Sequence, residues 1–169
     1  NLVRRFMPEL FDSEFDQMKR IAGELASHLV ERLSHECQKA ADTAALTALL
    51  ESFVHDYSFI QYVYVTDVQG HSKAIAISEP YDKANYKGFP LGFDYSNREW
   101  FQEPIHTGKL HIMNVHQSQV TGQLIITVST VITDENDEIT GVLGADIQLE
   151  EIIRRAEALE DETHPAEEE

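Results

Sequence analysis

Arg98 and Trp100 stand two residues apart, and no other pair in this sequence is better suited to hold a small anion. A guanidinium forks onto a carboxylate with two parallel hydrogen bonds, and an indole N–H adds a third donor. Charge-assisted bonds of this kind contribute roughly 1.5–3 kcal/mol each. The competing reading pairs Arg98 with a nearby acid, Asp94 or Glu103, and makes Trp100 a core residue. Asp146 is the second candidate. It lies in an apolar strand pattern between Ala145 and Ile147, after Gly144. An unpaired carboxylate is costly to bury, so Asp146 must find partners, among which Arg98 and backbone groups are as eligible as a ligand. Thr127 and Ser129 form a small polar face in another apolar strand, either lining a pocket or simply facing outward. Tyr81 and Tyr86 lie in an irregular stretch that can close as a lid or stand exposed as ordinary loop residues.

Other chemistries find no support. His106, His111 and His116 are close in sequence, but positions 111 and 116 of one strand are an odd number apart and should point to opposite faces. With no His-x-x-x-His or Cys-x-x-Cys spacing, no metal site is expected. The acidic turn at 134–138 lacks the glycine and spaced acids of a calcium loop and reads as a hairpin tip. There is no Gly-x-Ser-x-Gly, phosphate loop or dinucleotide fingerprint, so neither a catalytic set nor a cofactor is expected. The single cysteine, Cys37, excludes an internal disulfide and reads as a buried thiol.

These side chains need a scaffold, and 169 residues suit one domain with a sizeable core. Phe11, Phe15, Met18, Ala22, Leu25, Leu29 and Leu33 form one stripe of a long helix starting soon after Pro8. Asp42 is placed to N-cap a second helix carrying Leu46, Leu49, Leu50, Phe53 and Val54. From Ile60 the pattern turns to strands at 60–65 and 72–78, joined by the turn Asp67-Val68-Gln69-Gly70. A short helix is predicted at 97–106, then strands at 110–117, 124–133 and 141–147, then a closing helix at 148–159. On the strand at 124–133, Leu124, Ile126, Val128 and Ile132 share one face and Thr127 and Ser129 the other. The fold class is therefore α+β, an antiparallel sheet of about five strands with a long N-terminal helix and a short C-terminal one. The segments divide as helices over 1–58, a core over 59–153, and an acidic helix end and tail over 154–169. The net charge of −17 argues against nucleic acid as a partner. No run of 18 apolar residues exists to span a membrane.

Four segments together resemble the Cache superfamily of bacterial sensor domains, of the single-Cache type. They are Tyr64-Val65-Thr66-Asp67-Val68-Gln69-Gly70, Asp94 to Phe101, Val120-Thr121-Gly122-Gln123 with the strand after it, and Gly141 to Ile147. The resemblance covers roughly residues 60–150 and implies a PAS-like sheet. It implies that Arg98 and Trp100 clamp a ligand and that Asp146 faces the same pocket. The aspartate matching Asp146 holds the ligand's amino group in amino-acid-binding members. This chain departs from that pattern where Phe93 lacks the expected hydroxyl, which Tyr95 can supply. It departs again where His116 and Ser118 replace a tyrosine and an aspartate. His116 can donate to an anion, more strongly below about pH 6.5, where imidazole charges.

The expected function is thus a non-catalytic signal-sensing domain. It binds a carboxylate-bearing molecule, an amino acid derivative or another polar metabolite, and passes a conformational change to an output module through its terminal helices. The alternative is a ligand-free dimerisation module. The resemblance further implies a periplasmic domain of a bacterial inner-membrane receptor whose output is a histidine kinase, a chemoreceptor or a cyclic-dinucleotide enzyme such as a diguanylate cyclase. A cytoplasmic soluble setting is the alternative. The N-terminal stripe also suits a homodimer.

Overall fold

The computed structural model describes residues 8–78, 91–113, 115–117 and 122–163. Helix α1 (Pro8–Cys37) is followed by α2 (Thr43–Asp56), then strands β1 (Ile60–Asp67) and β2 (Ser72–Ile77). Next come α3 (Glu99–Thr107), β3 (His111–Ile112), β4 (His116–Gln117), β5 (Leu124–Thr133), β6 (Ile139–Gln148) and α4 (Leu149–Thr163). All strands pair antiparallel in the order β2-β1-β6-β5-β3, with β4 also on β5. The predicted α+β architecture is observed.

Local chemistry explains the elements. Asp42 takes extended backbone and its Oδ1 accepts from the Ala45 N–H at 2.8 Å, so α2 begins where the sequence indicated. The side-chain period of two sorts the sheet into faces. Val63 and Val65 of β1, Ile126, Val128 and Ile132 of β5, and Leu143, Ala145 and Ile147 of β6 form one core. That core packs against Ala22, Ala26, Leu29, Val30 and Leu33 of α1 and Leu46, Leu50, Phe53 and Val54 of α2. Leu124, expected on this face, is 41% exposed, because it stands at the strand end, where side chains are open to solvent. Cys37 is buried, and burial, with help from Glu36, pushes its thiol up to about 12.

The terminal helices meet. α4 leaves β6 directly, buries Leu149 and Ile152, and packs along α1. No helix among the described residues is long and apolar enough to cross a membrane.

The strand predicted at 110–117 is instead two short pieces. His111 pairs with Ser129, but His116 pairs with Ile125, so five steps on one side match four on β5. The extra residue acts as a bulge and restores parity. His111 and His116 therefore share a face, contrary to the opposite faces expected for an unbroken strand.

Candidate functional site

The second face of the sheet carries Tyr62 and Tyr64 of β1, Val142 of β6, and the side chains of α3 and the loop before it. Tyr95, Trp100 and Phe101 are buried here, with Phe93, Ile105 and Met113 packed beside them. Trp100 lies 4.5 Å from Tyr64 and 5.1 Å from Tyr95, centroid to centroid, and Phe93 lies 4.8 Å from Tyr95.

The β1–β2 turn positions this wall. Gly70, at φ +93, accepts the Tyr95 N–H on its carbonyl at 2.8 Å. A Cβ at position 70 would stand 2.8 Å from the backbone nitrogen of Ser96, so the turn and the loop meet only through a glycine. Asp94 Oδ1 accepts from the Ser96 N–H at 2.8 Å. Hydrogen bonds from Ser96, with a smaller contribution from His71, hold the Asp94 carboxyl below its ordinary range. Asp94 is thus occupied with its own loop.

Arg98 is the N-cap residue of α3 and is exposed. It forms no ion pair with Asp94, Glu103 or any other described residue. Of the two readings of Arg98, the one that ties it to a local acid is not realised. Trp100, by contrast, is a buried packing residue as well as a candidate for the site.

Asp146 sits on the same face, paired in register with Tyr62 on one side and Thr127 on the other. Its Oδ1 accepts from the Tyr64 hydroxyl and from Thr127 Oγ1, each at 2.8 Å. Burial raises the Asp146 carboxyl above the usual carboxylate range. The Thr127 and Tyr64 hydrogen bonds and the nearby His116 partly oppose that shift. The Tyr95 hydroxyl feels burial first, then the positive charge of Arg98, then the negative charge of Asp146, and its pKa is raised. Tyr95 therefore lies within electrostatic reach of both Arg98 and Asp146.

The face thus gathers Phe93, Tyr95, Trp100, His116, Thr127 and Asp146, with Arg98 exposed and within electrostatic reach of Tyr95. Ser129 joins them, fully buried opposite Gly144, its hydroxyl without a hydrogen-bond partner in the structure. Ser118, Tyr81 and Tyr86 lie outside the described residues. Sequence reasoning missed Tyr62 and Tyr64, although strict alternation in Tyr62-Val63-Tyr64-Val65 sets both tyrosines on one face. It also missed an amide cluster at the end of the sheet, where Gln61 Nε2 and Gln148 Nε2 both donate to Gln123 Oε1.

A sheet backed by helices on one face, with an aromatic wall and a carboxylate on the other and beside them a guanidinium that pairs with no acid among the described residues, has the architecture of a PAS-like sensor domain. The chain belongs to the methyl-accepting chemotaxis protein-like first PDC sensor domain family, whose pattern matches residues 31–154. Its fold resembles the ligand-binding domain of the Campylobacter jejuni chemoreceptor Tlp3 in complex with L-valine, at a TM-score of 0.60 and 17% identity. That match covers 86% of this chain and 64% of the other. The ligand-binding domain of the Pseudomonas aeruginosa amino acid chemoreceptor PctC in complex with GABA gives a TM-score of 0.60 at 21% identity, covering 90% and 66%. In sequence, the chain is 35% identical over 165 residues to the citrate (Re)-synthase of Syntrophus aciditrophicus. It spans 97% of this chain but only 26% of that protein.

Proposed function

We propose that this sensor domain binds a small carboxylate-bearing molecule, or a comparably polar metabolite, between Arg98 and Asp146. The observation that carries the reading is the unpaired guanidinium of Arg98 beside an aromatic wall that ends on a half-buried acid. A guanidinium that pairs with no described residue has its full fork available to a carboxylate. The two structural neighbours are complexes with L-valine and with GABA, and both molecules carry a carboxylate.

The fold offers a route for the signal. Asp146 lies on β6 three positions before α4 begins, and α4 packs along α1. A ligand that draws α3 toward β6 shifts the domain toward the state it binds better, and the terminal helices carry the difference outward. We assign the domain no catalytic role of its own. Relatives with different names, a chemoreceptor and a synthase, contain stretches similar to this chain. That pairing favours an input module joined to different outputs. The setting we propose is an extracytoplasmic sensor of a bacterial receptor that dimerises through α1.

The test is a thermal-shift screen of the chain against organic acids, amino acids, amines and purines. A ligand held at 100 times its Kd stabilises by about 2.7 kcal/mol, readily seen as a rise in Tm. Arg98→Ala is expected to keep the unliganded Tm, since exposed side chains without partners contribute within about 0.5 kcal/mol. It is expected to abolish the ligand-induced rise. Stabilisation that survives in Arg98→Ala removes the guanidinium from the site.

A further inference from the structure

Tyr64 joins the two halves of the site. Its ring packs on Trp100 and, at 6.1 Å, on Tyr95, while its hydroxyl donates to Asp146 Oδ1. The ring reaches across the strand because Gly144 has no side chain. A Cβ there would lie 2.3 Å from a ring carbon of Tyr64. Thr127 Oγ1 donates to the same Oδ1. Two protein hydroxyls thus fill one side of the carboxylate, and Oδ2 takes no hydrogen bond from any described residue.

Resting on the sensor reading above, we propose that Tyr64 determines the ligand's chemical class: it leaves Asp146 with Oδ2 alone to offer, an acceptor matched to the single donor of a hydroxy acid rather than to the three donors of an amino acid's ammonium. The ligand's carboxylate goes to Arg98 and its α-hydroxyl to Oδ2. The electrostatics agree. A carboxylate that burial draws toward its neutral form is a poor counter-ion for an ammonium, yet it still accepts from a hydroxyl. His116 faces the same acid from β4. The Tyr64 hydroxyl from β1 touches this carboxyl as well, and Tyr95, from the loop before α3, feels its charge.

Calorimetric titration with matched pairs tests this. L-Lactate and L-alanine, L-malate and L-aspartate, and 2-hydroxyisovalerate and L-valine differ within each pair only at the α-donor. In at least one pair the hydroxy acid is expected to bind the unmodified chain more tightly. Tyr64→Phe keeps the ring and its stacking but opens Oδ1. It is expected to move the affinity ratio toward the amino acid by about tenfold, the effect of one gained charge-assisted bond. Thr127→Val removes the other hydroxyl from the same oxygen without touching the aromatic wall, and should move the ratio the same way even where Tyr64→Phe fails to fold. A purely structural Tyr64 would weaken both members of a pair equally. Preference for the amino acid in every pair, or a ratio unchanged in both variants, overturns the inference and leaves the sensor reading in place. Failure of every pair and every screened compound to bind removes the sensor reading and this inference together.

Discussion

Asp146 shows how one side chain ties stability to protonation. Burial holds its carboxyl above the ordinary range, so the folded chain binds that proton more tightly than the unfolded one. The stabilisation from this group is fully present below the unfolded carboxylate range and is lost as pH rises through the raised folded value. Asp146→Asn removes the titration. Unfolding free energies of the two proteins, measured by denaturant titration across the acid range, should therefore diverge in that window, with the unmodified chain losing stability relative to the variant. A constant offset would show that Asp146 titrates normally. Gly144→Ala is a steric probe at the same place. Its Cβ meets a Tyr64 ring packed against both Trp100 and Tyr95, so the ring cannot swing away freely. Overpacking of this kind costs about 1–3 kcal/mol. It should also displace the Tyr64 hydroxyl from Asp146, visible as a changed near-ultraviolet spectrum. A Tm and spectrum equal to those of the unmodified chain would mean that the aromatic wall is loose.

At the scale of elements, the sheet separates stability from recognition. The helix-covered face holds the aliphatic core, and the other face holds nearly every polar group of the site. Leu33 of α1 is fully buried against the first face. Leu33→Ala should cost about 2–5 kcal/mol through lost burial and the cavity left behind. If the variant folds, its ligand affinity should be unchanged, since nothing on the site face is touched. A fall in stability under about 1 kcal/mol would mean that α1 is only lightly docked. Element boundaries followed the sequence closely where the signals were local. The Asp42 cap and the β5 limits both derive from neighbouring residues. The split of the third strand into β3 and β4 did not, because register is set by the partner strand.

At the scale of the molecule, the dimer we propose must overcome charge. Each chain carries −17, so two copies repel, and added salt should strengthen association by screening that repulsion. Met18 and Ile21 of α1 are 37% and 41% exposed, leaving apolar surface on the helix beyond what its own sheet covers. Sedimentation velocity at rising protein and salt concentration should show a dimer. Ile21→Glu should return it to monomer with an unchanged Tm in the dilute limit. A chain that stays monomeric throughout removes α1 as a self-association surface, and the terminal helices would then signal within one copy.

Composition, hydrophobic period and turn chemistry sufficed to specify an α+β domain, its helices, its long strands and the polar face of β5. Those signals are local, repeating every two or 3.6 residues, and the backbone obeys them wherever packing agrees. The residues Arg98, Trp100 and Asp146 were legible as chemistry from their types alone. Their relations were not. Tertiary structure alone decided that Arg98 keeps no acid partner among the described residues, and that Tyr64 reaches Asp146 over Gly144. It also decided that one extra residue turns His116 toward that acid. The two contacts on Asp146 depend on Thr127 and Tyr64, 19 and 82 positions away in sequence, being brought into register with it. Only the closed sheet fixes such distances, because no local periodicity carries information across them.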